Sequence, residues 1–439
     1  MFFHQSAKHY SFTRQLAEIE WCILRSYTGR VRSLLDDRDT LDWESVSIFL
    51  NPPTTEPLFP NLRSLRARRL TEIRIKHLLH MPFPSLTSLD LPFVKQEYLH
   101  SLQGSLESFF EFSPNIRILR VFPVDHNIPL SNFFTSYIRR WRNLQTVECC
   151  NITLDVDALA HLSRMPALTW LDCTASTTLP PADSPLMFSN LHHLRLYSEF
   201  VDPVSQLLSR TRLPAITEFT VYIERCLSKH GFSSVLTSVQ TSAIGHTIQE
   251  LQFEEGLDMH DGGDVMYVLG FEDLQPCMAF SKLRNIYFDL GWDVDLSDSE
   301  MLTLASAWPH LEHLFINPEC GWNTPGGITP NGLLHLLQIC PSLSEIGLAI
   351  DTRGYTEFHE SRANLGLSLP PTFSIDVLDS LIEEESVPAI AAFLVGIAPC
   401  PNFSFRAHRS AWFTEERPDH EARWYEAYNL ANVVLSQRS

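Results

Sequence analysis

Phe83-Pro84-Ser85-Leu86-Thr87-Ser88-Leu89-Asp90-Leu91 is the stretch whose reading decides the fold. Leu89 and Leu91 stand two residues apart, the spacing of side chains on one face of a β-strand. Leu86 enters the same core from the turn just before. The phrase recurs along nearly the whole chain. It returns at Phe59-Pro60-Asn61-Leu62, Ser113-Pro114-Asn115-Ile116, Trp141-Arg142-Asn143-Leu144, Met165-Pro166-Ala167-Leu168 and Phe188-Ser189-Asn190-Leu191. Beyond these come Leu213-Pro214-Ala215-Ile216, His246-Thr247-Ile248, Phe280-Ser281-Lys282-Leu283, Trp308-Pro309-His310-Leu311 and Cys340-Pro341-Ser342-Leu343. Cys400-Pro401-Asn402-Phe403 is a degenerate twelfth.

The apolar anchors at 62, 86, 116, 144, 168, 191, 216, 248, 283, 311 and 343 are 23 to 35 residues apart. That spacing lies close to, or slightly over, the period of about 20–29 residues of leucine-rich repeats. Between anchors, 73–80, 130–141, 156–164, 204–209, 299–308 and 329–340 carry apolar residues at helical steps. Asp155, Ser297 and Thr329 precede three of these segments as caps, with Pro330 at a first helical position. Strand, turn, helix and return predict an α/β leucine-rich-repeat solenoid of about 11–12 irregular repeats. Its parallel strands line the concave side of a horseshoe and its helices the convex side. A chain of 439 residues suits such an array, because each unit packs only on its neighbours.

The ends are read as caps. Residues 12–27 carry a helical pattern stopped by Gly29, residues 31–34 read as a short strand and 42–50 as a further helix, so 1–50 forms an N-terminal helical cap. The solenoid runs over 51–405, with 388–397 as a convex helix and 351–371 as a long surface loop. Residues 406–439 form the C-terminal capping segment, with a helix over 415–436.

Composition narrows the function. The chain is 44% hydrophobic and carries 52 acids against 33 Lys plus Arg, a formal net charge of −19. That balance repels a phosphate backbone, so nucleic acid is not an expected partner. Nine cysteines without a C-x-x-C pair suit a reducing compartment in which they serve as small core residues. The first residues lack the order of a signal peptide, and the apolar run 387–398 is too short for a bilayer. These features predict an intracellular, cytoplasmic or nuclear, soluble monomer with no membrane partner.

No nucleophile-elbow, P-loop, dinucleotide or zinc-protease motif occurs, so no catalytic residue, cofactor or metal is predicted. Asp258-x-His260-Asp261-x-x-Asp264 resembles a metal loop superficially. Counted as an EF-hand, its sixth position is Gly263 but its twelfth is Leu269, where a Glu is needed. His192 and His193 are adjacent, so on a strand they diverge, as do Cys149 and Cys150.

Charge is unevenly spread. Residues 59–76 hold six bases, Arg63, Arg66, Arg68, Arg69, Arg74 and Lys76, against Glu72. Residues 250–300 hold thirteen acids against Lys282 and Arg284, which points to a basic protein partner. Strand alternation places the contact residues between the core leucines. They are Arg66, Arg68, Asp90, Trp170 and Asp172, then His193, Arg195, Tyr197, Glu218 and Tyr222. Glu250, Glu254, Tyr287, Asp289, His313 and Phe315 complete the set, with Ser88 and Gln252 beside them.

The repeats opening at Phe59, Phe83, Ser113 and Phe280 resemble those of the F-box and leucine-rich-repeat family of mushroom-forming fungi. Tyr27-Thr28-Gly29-Arg30-Val31-Arg32-Ser33-Leu34 resembles the segment that links F-box to repeats in that family. The resemblance implies a repeat region that holds a substrate for an SCF ubiquitin ligase, with an F-box that docks the ligase adaptor. Fewer than thirty residues precede Tyr27 and contain no Leu-Pro-x-Glu-like opening, so the F-box itself is expected to be missing. The family's adaptor-docking residues match no position here. A free-standing repeat scaffold or decoy is the alternative.

Overall fold

The computed structural model describes residues 3–6, 9–12, 14, 16–35, 56–67, 78–92, 107–122, 138–176, 185–225, 228–243, 247–256, 267–322, 327–358, 367, 369–370, 372–398, 400–401, 403–407 and 418–438. The recurring phrase forms a turn followed by a strand. The amide of Leu62 donates to the Phe59 carbonyl, Leu86 to Phe83, Leu283 to Phe280, Leu311 to Trp308 and Leu343 to Cys340, all between 3.1 and 3.2 Å. Proline at the second place of such a four-residue turn has its φ already set, and its missing N–H is not needed there.

The third residue of the turn ties each repeat to the one before. Asn61 donates to the Gly29 carbonyl at 2.8 Å, Ser85 to Pro60 at 2.8 Å, Asn115 to Pro84 at 3.2 Å and Asn190 to Pro166 at 2.7 Å. Buried tryptophans do the same from the first place of the turn. Trp141 donates through Nε1 to Ser113 O, and Trp308 to Cys277 O, each at 3.1 Å.

The chain divides into two compact units, residues 1–193 and 194–439. In the first, an antiparallel pair, β1 (Phe3–Ser6) and β2 (His9–Phe12), precedes the helix Glu18–Thr28. The predicted helix over 12–27 is thus shortened. Glu20 accepts from the Ala17 amide at 2.8 Å and from Arg14, which fixes the helix start at 18. Parallel strands then follow in order. They are β3 (Ser33–Leu35), β4 (Ser64–Arg66), β5 (Ser88–Pro92), β6 (Ile118–Phe122), β7 (Thr146–Thr153) and β8 (Trp170–Thr174). A two-residue strand, β9 (Leu186–Met187), ends this unit.

The second unit carries β10 (His193–Ser198), β11 (Thr211–Arg212), β12 (Glu218–Ile223), β13 (Glu250–Glu255), β14 (Val268–Leu269), β15 (Asn285–Asp289) and β16 (Asp293–Val294). It ends with β17 (His313–Ile316), β18 (Glu345–Gly347), β19 (Ser374–Asp376) and β20 (Ser404–Arg406). Its main strands neighbour one another in the order β10-β12-β13-β15-β17-β18-β19-β20. One parallel strand per repeat, registered leucine on leucine (Leu34, Leu65, Leu89 and Leu119; Leu251, Ile286, Leu314 and Ile346), makes each unit a leucine-rich-repeat solenoid.

Helices return the chain between strands: Val156–Ser163, Val201–Ser209, Lys229–Ser242, Asp298–Ser306, Pro330–Ile339 and Val387–Ile397. Asp155, Ser297 and Thr329 cap their helices through side-chain oxygens, as their positions predict. Phe232 shows which face they cover. Its ring lies 5.2 Å from Phe253, 5.8 Å from Phe288 and 5.6 Å from Trp292. The last helix, Pro418–Arg438, packs Trp424 and Tyr428 on Phe405 of β20. The helix expected at 42–50 and the Asp258–Asp264 loop lie outside the described residues. So do most of the helices expected at 73–80 and 130–141.

Cys149, Cys173, Cys277, Cys320 and Cys340 are buried. Burial pushes the thiols of Cys149, Cys173, Cys277 and Cys340 up, which suits packing residues and not nucleophiles. Among the described residues no helix is long and apolar enough to cross a membrane, and no group of His, Cys, Asp or Glu has the arrangement of a metal site.

Candidate functional site

The leucines of each strand face the helices, so the alternate residues form the opposite face of the sheet. In the first unit the register lines up Arg66, Asp90, Arg120, Glu148 and Asp172, one per strand from β4 to β8. Arg66 Nε lies 3.0 Å from Asp90 Oδ2, and Arg120 Nη1 lies 3.6 Å from Asp90 Oδ1. Arg120 Nε donates to Glu148 Oε1 at 2.8 Å. The row is a ladder of alternating charge, and Cys150 Sγ lies 3.5 Å from Asp172 Oδ2 at its end. Two residues earlier on β8, Trp170 stacks on His193 with ring centroids 4.4 Å apart. Both rings are half-buried, while Leu191 and Leu194 face the core.

The second unit presents a different surface. Glu218, Glu250, Asn285 and His313 share one register row, and Asn285 donates to Glu250 Oε1 at 2.6 Å. Two residues on, Thr220, Gln252, Tyr287 and Phe315 align, and a third row is Tyr222, Glu254 and Asp289. Tyr197 and Tyr222 lie 5.9 Å apart and Tyr287 and Phe315 6.0 Å apart, each pair tilted. Gln252 and Glu254, hydrogen-bonded to each other, stand between these pairs on β13. Phe315 lies directly over Gly347, where an added Cβ would come within 2.5 Å of its Cδ1.

Carboxylates set the electrostatics here. Asp289 is 6% exposed, and its Oδ1 accepts from the Glu319 amide at 3.3 Å. Burial pushes its carboxyl up to about 6, and the Glu319 carboxylate adds to the effect. Burial, then Asp289, Glu254 and Glu319, drive the Tyr287 phenol upward. The patch is acidic and rich in half-buried aromatic rings.

Of the sixteen residues named from alternation, Arg66, Trp170, His193, Arg195, Tyr197, Glu218, Tyr222, Glu250, Glu254, Tyr287, His313 and Phe315 have at least part of their surface open. Arg68 lies outside the described residues. Asp90, Asp172 and Asp289 are corrected from open to buried, at 1%, 3% and 6% exposure. Alternation gives the face but not the depth. A short carboxylate is covered by longer neighbours, such as the two arginines over Asp90. Arg120 and Glu148 were missed, although each directly follows the second anchor of its repeat, as Arg66, Asp90 and Asp172 do. Reading that column through the repeats gives Arg, Asp, Arg, Glu, Asp.

No family model matches the chain, and no curated protein matches it. Solved structures similar to it include an internalin from Listeria monocytogenes, 9% identical, covering 89% of each chain with a TM-score of 0.36. Another is the Rad7 and Elc1 complex of yeast, 12% identical, covering 81% of this chain and 83% of that one with a TM-score of 0.36.

Proposed function

We propose that the chain is a non-catalytic protein-binding module whose second unit takes a basic polypeptide segment on the face of its sheet opposite the described helices. The observation that carries this reading is the third register row with its flanks. Glu254 stands between Tyr222 and Asp289, with Tyr197 beside one end and Tyr287 and Phe315 beside the other. Aromatic rings offer large contact area at low entropic cost, and carboxylates among them select a Lys or Arg side chain. A peptide array of lysine- and arginine-rich sequences, probed with the labelled full chain, tests it. Hits re-measured in solution should weaken at least about tenfold in a Tyr222→Ala, Glu254→Gln variant, the scale of losing one anchor residue. Equal affinity in that variant would move the site elsewhere.

A more specific role follows the repeat phrases and the Tyr27–Leu34 segment. Their resemblance to fungal F-box repeat proteins supports a substrate-binding part of an SCF ubiquitin ligase receptor. Calorimetric titration of the purified chain with the SCF adaptor is the test. Heat at micromolar concentration supports the ligase role, and no heat leaves the free-standing scaffold as the reading.

A further inference from the structure

A second polar feature lies on the first unit, away from the charge ladder. Each turn delivers one residue to the N-terminal rim of the sheet just before its strand, and these rim residues are in register. Thr87 and Ser88 both donate their amides to Arg63 O at 2.9 Å, and Arg117 and Ile118 donate theirs to Thr87 O at 2.8 and 3.0 Å. Arg63 and Arg117 therefore flank Thr87 from the two adjacent strands, about 10 Å apart at Cα. Thr87 is short, and its hydroxyl is turned back to Arg63 O at 3.1 Å. It leaves the space between Arg63 and Arg117 unfilled. An open hollow of about 510 Å³ results, lined by Arg63, Pro84, Ser85, Thr87, Asn115 and Arg117.

Neither arginine forms an ion pair among the described residues, and the hollow holds no carboxylate in its lining. The same rim position in the second unit behaves differently. There Arg284 is followed on the next strand by Glu312, which it grips at 2.7 Å. Two like charges left facing one hollow repel each other, and in a chain of net charge −19 an available acid would satisfy them at little cost. Ser85 spends its hydroxyl donor on Pro60 O and Asn115 one of its two N–H donors on Pro84 O, which leaves the guanidinium groups as the charged side-chain donors of the hollow. Paired guanidinium forks match the oxygens of a tetrahedral dianion in geometry and in charge.

We infer that Arg63 and Arg117 form an anion site on the rim of the first unit that takes a phosphate monoester or phosphate dianion between them. The site is independent of the acidic face of the second unit. Inorganic phosphate, O-phosphoserine and a phosphoserine peptide with its unphosphorylated twin are titrated into the full chain at fixed ionic strength. O-Phosphoserine and the phosphopeptide should bind at pH 7.5 and weaken at pH 5.5, because a phosphate monoester takes back its second proton near pH 6. Arg63→Gln and Arg117→Gln should each reduce affinity at least about tenfold, as expected for losing one charge-assisted fork. Arg284→Gln should leave it unchanged, with melting temperatures confirming that all three variants fold. Tighter binding of the phosphopeptide than of inorganic phosphate assigns the anion to a modified polypeptide. Equal binding assigns it to the free ion. Absence of binding by every probe, or phosphate affinity that survives Arg117→Gln, overturns the site.

Discussion

Arg66 Nε lies 3.0 Å from Oδ2 of Asp90, a carboxylate that is only 1% exposed on a sheet face read as open. Asp90 pairs with Arg120 as well, so one short acid holds two long bases across three strands. Taking the acid away removes the partner of Arg66 and leaves Arg120 only Glu148, whereas taking one arginine away leaves Asp90 the other. Asp90→Ala should therefore destabilise the first unit by about 2–3 kcal/mol, below the usual cost for a fully buried pair because both guanidinium groups reach solvent. Arg66→Ala should cost about 1 kcal/mol or less. Denaturant melts of the two single variants and the double variant give the coupling. Strict additivity would mean that the ladder contributes no pairwise energy.

Asn317 sits at φ 51° with no exposed surface. Its side chain serves two backbones, accepting from Leu290 N at 3.0 Å and donating to Trp292 O at 2.6 Å. Asn317→Gly keeps the left-handed backbone but orphans both groups, at a cost of about 2–3 kcal/mol. Asn317→Ala adds the steric cost of that backbone, about 1 kcal/mol more. Thermal melts should rank the variants wild type, Gly, Ala. Equal stability of the Ala and Gly variants would show that the backbone relaxes.

The repeat phrase carried most of the fold because turn, strand and core each leave a local mark. A proline after an aromatic sets the turn, leucines two apart set the strand, and Asp155, Ser297 and Thr329 mark helix starts. What escaped was of two kinds. The helix Lys229–Ser242 has a cap in Ser228 and a buried stripe of Phe232, Val235, Leu236 and Val239, a local signal that was overlooked. The ladder through Arg120 and Glu148 is not local. Each residue reads as an ordinary surface charge until the strands are placed in register, and depth at Asp90, Asp172 and Asp289 depends on neighbours 24 to 35 residues away.

Gly347 and Phe315 are matched across β17 and β18. A methyl group at 347 would meet the Phe315 ring at 2.5 Å, too close to be absorbed without moving it. Gly347→Ala should cost about 1–3 kcal/mol as an overpacking change and turn the ring off the sheet. Phe315→Leu in the same chain should recover part of that loss. A double-mutant cycle reads the coupling, and additive effects would place the strain at the backbone of 347 instead.

Asp289 makes the acidic face sensitive to pH. Its carboxyl titrates near 6 in the folded chain, chiefly because burial penalises the charge, and near 3.8 when unperturbed. The native state therefore holds a proton between those values that the unfolded state has released. The group's contribution to stability is complete below about pH 3.8 and is lost as pH rises through 6. Asp289→Asn removes the charge and keeps an oxygen for the Glu319 amide. It should stabilise the chain by about 2 kcal/mol at pH 7.5, with the advantage shrinking to near zero by pH 4. The quantity to measure is the difference in unfolding free energy between variant and parent at each pH, since the other carboxylates titrate equally in both. A cationic segment docked beside Asp289 would hold its charge in place and lower its folded pKa, so a basic peptide ligand should shrink the same difference at pH 7.5. A difference that stays flat from pH 4 to 7.5 would show that Asp289 is already compensated and that the face has no unmet demand for a cation.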